Sequence, residues 1–160
     1  MILKVKKLYP DAILPNRAYP LDSGLDLYAY IPETVKLLPQ ERCVIPCGVA
    51  VELPPSVIDG ETLVVYEGQI RPKSGLAKTC GLSIVNSPGT VDSTYTGELK
   101  VIALNTSNDH LIIIKPEQKI AQFVVCPIVI PIVEEVEELG ETDRSGNGFG
   151  STGLYYGRIS

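Results

Sequence analysis

Several residue types are scarce in this 160-residue chain. It has no tryptophan, one methionine, two phenylalanines and a single histidine, His110. No Cys-x-x-Cys pair is present, and His110 falls in the turn-like stretch 105–110, so a zinc site is not expected. His110 itself reads as an exposed loop side chain rather than a ligand or a catalytic base. Basic residues are in the minority. Lys plus Arg number 14 against 19 acidic residues, a net charge of −5, which argues against non-specific nucleic-acid binding. No run approaches the ~18 uncharged apolar residues of a membrane span, so no membrane partner is expected. The first residues lack the layout of a secretion signal, because Lys4, Lys6 and Lys7 interrupt the apolar stretch; the expected location is cytoplasmic. No Walker A loop and no internal repeat is visible.

What is present points to one domain. At 17.3 kDa the chain is long enough to bury roughly 70% of its unfolded surface. The 14 glycines and 13 prolines predict many turns and short elements. Four cysteines, Cys43, Cys47, Cys80 and Cys126, read as buried thiols in a reducing compartment. Cys43 and Cys47 would stand ~13 Å apart on an extended strand, too far to bridge.

The patterning is almost all β. Over 43–53 the odd positions are Cys43, Ile45, Cys47, Val49, Val51 and Leu53, a period-two alternation that predicts a half-buried strand. Segments 62–66, 98–104 and 111–114 are further candidates, separated by Gly, Pro, Asn and Asp. Residues 75–80 offer one or two helical turns and no more. Segment 120–133 is nearly continuously apolar. Its second face is covered either by another subunit or by a closed single-chain core, and Pro127 and Pro131 favour an edge or a bulge. An acidic stretch follows over 134–143, and residues 141–160 read as a mobile C-terminal arm beside a β domain over 1–140.

Three segments carry possible chemistry. The arm holds Gly148-Phe-Gly150-Ser-Thr-Gly153, too near the end of the sequence for a Rossmann unit. Its N–H groups, Arg144, Ser151 and Thr152 could wrap a phosphate chain, with Phe149 stacking on a base. By itself the segment reads more readily as a disordered Gly/Ser tail. Arg71-Pro-Lys-Ser-Gly75 gathers a cation, a hydroxyl and free N–H groups in a turn. In segment 86–97, Pro88-Gly89 makes a turn, so Asn86 and Asp92 are expected to flank a hairpin. Asn86 could read a base edge, Asp92 could act as a general base and Tyr95 could form a flat wall. A capped hairpin without function fits that segment as well.

Together these residues resemble the homotrimeric dUTPases, whose five short motifs occur in fixed order. Ser-Gly-Leu-Asp-Leu-Tyr-Ala at 23–29 looks like the first motif and Pro-Lys-Ser-Gly-Leu-Ala at 72–77 like the second. Residues 86–98 look like the third, Lys-Ile-Ala-Gln at 119–122 like the fourth, and 144–153 like the fifth. The chain departs from the family pattern in three places. Lys73 stands where Arg is usual, so a point charge replaces a fork. Thr94 takes the place of a second Asp, and Ser145-Gly-Asn147 replaces the commoner Gly-x-Gly.

The resemblance implies an all-β, antiparallel, barrel- or jelly-roll-like domain with a flexible arm, assembled as a homotrimer with shared sites. It implies hydrolysis of dUTP, carrying Mg²⁺ on its triphosphate, to dUMP and pyrophosphate, which supplies dUMP for dTTP synthesis and keeps uracil out of DNA. Asp92 would be the catalytic base. Asn86, Gly89, Thr90 and Val91 would hold uracil, with Lys100 close by, and Tyr95 would pack on the deoxyribose. Lys73, Ser74, Gly75 and Gln122 would hold phosphates, joined by Arg144, Phe149, Gly150 and Ser151 of the arm. Asp26 would touch the metal through water, or is simply a strand-end Asp making hydrogen bonds. Two alternatives share the fold. A dCTP deaminase needs a glutamate where this chain has the apolar Ile102, and a non-catalytic nucleotide-binding regulator would not need Asp92, Tyr95 and Arg144.

Overall fold

A computed structural model of the chain describes residues 1–59 and 62–146. Eleven strands and one short helix follow one another: β1 (Lys4–Lys7), β2 (Leu25–Tyr28), β3 (Val35–Leu37), β4 (Arg42–Glu52), β5 (Val57–Asp59), β6 (Thr62–Pro72), α1 (Ser74–Cys80), β7 (Leu82–Ile84), β8 (Gly89–Val91), β9 (Glu98–Asn105), β10 (Ile112–Ile114) and β11 (Lys119–Val129). All pairings between named strands are antiparallel. One sheet runs β1-β4-β9-β7, a small one pairs β3 with β10, and a third runs β2-β11-β6-β5 with β8 added to β6. The all-β expectation holds. Among the described residues these are three separate sheets, not one closed ring of strands.

The alternation read in 43–53 places Ile45, Cys47, Val49 and Val51 in the core, while Val44 is exposed. The strand also bulges. Pro46 pairs with Lys100 and Ala50 with Glu98, and Gly48 sits between them at φ +67°, a left-handed conformation that glycine adopts without steric cost. A Cβ there would come within 2.8 Å of the Tyr30 ring and 2.9 Å of Ala12.

Fully buried Leu27, Leu37, Ile45, Leu99, Ile114, Ile120 and Phe123 form the centre of the core. Each such side chain contributes about 1.5–3 kcal/mol of burial. Asn105 is a buried polar residue whose hydrogen bonds are satisfied. Its amide nitrogen donates to Leu37 O and His110 O, and its carbonyl oxygen accepts from Ser107 N–H. These bonds pin the turn carrying His110, which is exposed and 2.9 Å from Asp109. All four cysteines are free thiols, and burial pushes the Cys47 thiol up to about 12.

Two sequence expectations change. The strand expected over 120–133 ends at Val129. Its first half lies between β2 and β6, whereas Val124 to Val129 pair with β6 alone. Pro127, which has no N–H to donate, therefore sits on an edge, as its chemistry requires. The expected hairpin around Pro88-Gly89 is a crossing between sheets: β7 pairs with β9, and β8 pairs with β6. The Ser87–Pro88 peptide is cis. The predicted helical turns at 75–80 form α1, which ends where Gly81, at φ 72°, donates its N–H to Ala77 O and Leu76 O. By its contacts the chain divides into two units, Met1–Ile130 and Pro131–Ser160.

Candidate active site

The crossing between β7 and β8 opens a cavity of about 320 Å³. Asn86, Gly89, Thr90, Val91, Asp92, Tyr95 and Lys100 all line it. The segment from 86 to 100 thus contributes these side chains to one space. Gly89 has little room for a side chain, since a Cβ would stand 3.2 Å from the Asn86 amide nitrogen and 3.4 Å from Ile70. Val44, Ile84 and Ile102 add apolar lining.

Tyr95 is held in place by its own segment. Its N–H donates to Asp92 O at 3.0 Å, and its hydroxyl donates to Glu98 O at 3.0 Å. The ring folds back over Gly97, where a Cβ would lie 2.6 Å from the ring edge and the hydroxyl. A glycine at 97 is therefore what permits this ring position. Glu98 also lines the cavity, a residue given no role in the site from sequence. Its Oε1 accepts the Gly48 N–H at 3.0 Å, and its Oε2 lies 3.8 Å from Lys100 Nζ. The bulge of β4 and the cavity are joined through this one carboxylate.

The phosphate candidates assemble elsewhere. Lys73 sits immediately before α1, whose first residues are Ser74 and Gly75. Nothing lies within 4 Å of where a Gly75 Cβ would stand. Gln122 faces Asp26 across β11 and β2, and its amide donates to Pro72 O at 3.0 Å. The Gly24 backbone packs so tightly on the Gln122 amide that any Cβ would displace it. The first, second and fourth motifs thus meet at one place. None of Lys73, Ser74, Gly75 or Gln122 lines the cavity of the third motif.

Asp26 lies at the centre of this second cluster, only 6% exposed. One of its oxygens pairs with Lys73 Nζ and the other with Lys119 Nζ at 2.8 Å. Burial alone would raise its pKa. The hydrogen bonds from Lys119 and Lys73, with their charges, outweigh burial and hold the carboxyl below the usual range. The same contact raises the Lys119 pKa. Each oxygen of Asp26 is thus already paired with an ammonium group within the chain. Among the described residues no group of three or more His, Cys, Asp or Glu side chains is placed to hold a metal ion. This donor set does not fit a resident Mg²⁺; an ion carried on a polyphosphate brings its own oxygens and waters.

Phe149, Gly150 and Ser151 lie outside the described residues. Arg144 is described, within the second unit. No helix of the described residues is long and apolar enough to cross a membrane.

Comparison with known proteins is consistent throughout. A family model described as dUTPase matches residues 10–153. A deoxyuridine 5'-triphosphate nucleotidohydrolase of Hydrogenobaculum sp. is 46% identical over 154 residues, covering 96% of this chain and 99% of the relative. The protein of that name from Syntrophotalea carbinolica is 43% identical over 152 residues, covering 95% and 97%. Among solved structures, a mutant dUTPase of Staphylococcus bacteriophage 80alpha with dUpNHpp superposes with a TM-score of 0.80 at 30% identity, covering 96% of this chain and 99% of that one. A mutant dUTPase from phage phi11 of S. aureus, described with a structural Mg(II) ion, gives a TM-score of 0.72 at 28% identity, covering 88% and 100%.

Proposed function

Because the chain belongs to the dUTPase family, we propose a division of labour among its residues for the hydrolysis of dUTP to dUMP and pyrophosphate. The reading rests above all on the cavity that gathers Asn86, Asp92 and Tyr95.

In this reading uracil enters the cavity, where the Asn86 amide and the backbone of Gly89, Thr90 and Val91 read its polar edge. Tyr95 lies against the deoxyribose. Its hydroxyl hydrogen is already donated to Glu98 O, which fixes the ring where a 2′-hydroxyl would clash with it. Asp92 takes a proton from a water molecule as that water's oxygen bonds to the α-phosphorus. The bond to the bridging oxygen breaks, and pyrophosphate leaves with its electron pair. Lys73, Ser74, Gly75 and Gln122 hold the phosphates. Open space over Gly75 is consistent with an approach from outside the chain, since nothing within it demands glycine there. A Mg²⁺ carried on the triphosphate would be held by the substrate's own oxygens and by waters, and would neutralise charge developing on the leaving group. The family match extends through residue 153, and we assign Arg144, Phe149, Gly150 and Ser151 of the arm, residues 141–160, to the phosphates and the base.

Each chain holds a nucleoside cavity and a separate cation cluster, with no shared lining. A homotrimer supplying the two sets from different subunits accounts for that separation. The free thiols are consistent with a cytoplasmic enzyme.

The test is pyrophosphate release from dUTP beside dCTP, dTTP and UTP. Turnover of dUTP alone is expected. Comparable turnover of UTP would remove Tyr95 from its assigned position, and ammonia released from dCTP would mark a deaminase. The apolar Ile102 in the cavity wall offers no group to carry the protons of that reaction.

A further inference from the structure

Along a regular strand Lys119 and Gln122, three residues apart, would point to opposite faces of the sheet. They do not here. On β2, Tyr28, Leu27 and Asp26 face Lys119, Ala121 and Gln122 in turn, so β11 spends one more residue than its partner. Ile120 is the extra residue, and it is 1% exposed. A bulge of this kind re-aims the side chains on either side of it. Lys119 is thereby turned to the face shared by Gln122, Tyr28 and Asp26.

There Lys119 meets a charge imbalance. Asp26 supplies one negative charge, and Lys73 and Lys119 each pair with one of its oxygens. One carboxylate against two ammonium groups leaves an excess positive charge beside Gln122. The Lys119 side chain is 44% exposed and that of Lys73 28%, so both ammonium groups can meet solvent or a ligand while the carboxylate between them remains buried. Lys119 Nζ also stands 5.8 Å from the centre of the Tyr28 ring, a weak cation–π contact that limits where the head can swing.

We propose that Lys119 is a further phosphate-binding residue, brought by the bulge at Ile120 into one cationic site with Lys73 and Gln122, with Asp26 as the positioning residue that spaces the two lysines. The ligand is the polyphosphate chain of the nucleotide. This rests on the reading of Lys73 and Gln122 as phosphate contacts. The spacing accounts for a lysine at 73 where a fork-shaped arginine is usual: two point charges on one buried anchor present two separate donors to a polyphosphate. Asp26 is then the anchor of the two lysines.

The probe is inorganic tripolyphosphate, competing against dUTP hydrolysis in the full-length enzyme. Losing one charge-assisted contact should raise both the tripolyphosphate inhibition constant and the KM for dUTP roughly tenfold in Lys119→Gln. Inhibition by deoxyuridine should be unchanged, and Lys119→Arg should restore tripolyphosphate binding. A purely structural ion pair would instead lower the melting temperature and leave tripolyphosphate inhibition intact; that result in a folded Lys119→Gln overturns the proposal. Lys73→Gln separates the two levels. If it weakens inhibition and Lys119→Gln does not, only this inference fails. If neither variant weakens it, the phosphate reading of the cluster fails as well. Should Lys119→Gln not fold, the wild-type protein decides. Acetylation of Lys119 by an amine reagent, followed by peptide mass spectrometry, should be slowed by tripolyphosphate and not by deoxyuridine. An unchanged rate overturns the proposal.

Discussion

Asp92 and Tyr95 are joined by a hydrogen bond from the Tyr95 N–H to the Asp92 carbonyl, so the proposed base and the proposed sugar wall are positioned by one turn of backbone. Asp92→Asn keeps that turn and removes the proton acceptor. Pyrophosphate release should fall by ~10²–10⁴, while calorimetric binding of a non-hydrolysable dUTP analogue changes little. Equal turnover by variant and wild type would take Asp92 out of the chemistry. These residues were legible in the sequence because they lie within a few positions of one another, and a turn brings such neighbours together. The Asp26 cluster was not legible in the same way. Asp26 and Lys73 are 47 positions apart, and only the pairing of β2, β11 and β6 brings their strands together. Lys119 was further hidden because the parity of its spacing from Gln122 points to the opposite face until the extra residue at 120 is known.

β6 is flanked along its length by β11 on one side and by β8 and β5 on the other. Gly68 sits at its middle, buried, where an added Cβ would collide with the Phe123 ring and come within 3.1 Å of Val91. Phe123 is fully enclosed and has no space to yield. Gly68→Ala should therefore destabilise the protein by about 1–3 kcal/mol, as overpacking does, visible as a lower urea midpoint. Val91 belongs to the cavity wall, so the KM for dUTP should rise in the same variant. An unchanged midpoint would mean that β8 moves aside at no cost. Long strands such as β4 and β9 were readable from their alternation. β3, β7, β8 and β10 have three residues each. A period of two barely shows in so short a run, and only 111–114 was marked by its continuous apolar character. The hairpin expected at Pro88-Gly89 failed for a related reason: local turn chemistry fixes that the chain turns, not which sheet receives the next strand.

For the whole molecule, the separation of the cavity lined by Asp92 from the cation cluster around Asp26 sets the expectation. Val129 and Ile130, at the end of β11, are 59% and 47% exposed, apolar surface available for another copy to cover. Light scattering should give a mass near three times 17.3 kDa. A stable monomer at micromolar concentration that still turns over dUTP would refute the shared site. The bulge at Ile120 has a consequence for the chain's history as well. Substitution and change of length are different hazards for this molecule. An exposed connection could gain or lose a residue and remain a turn, whereas deletion of residue 120 would leave every other letter of the fourth motif intact and still swing Lys119 to the opposite face. Related sequences should therefore vary in letters along β11 while keeping its length, and any insertions or deletions should gather in the turns.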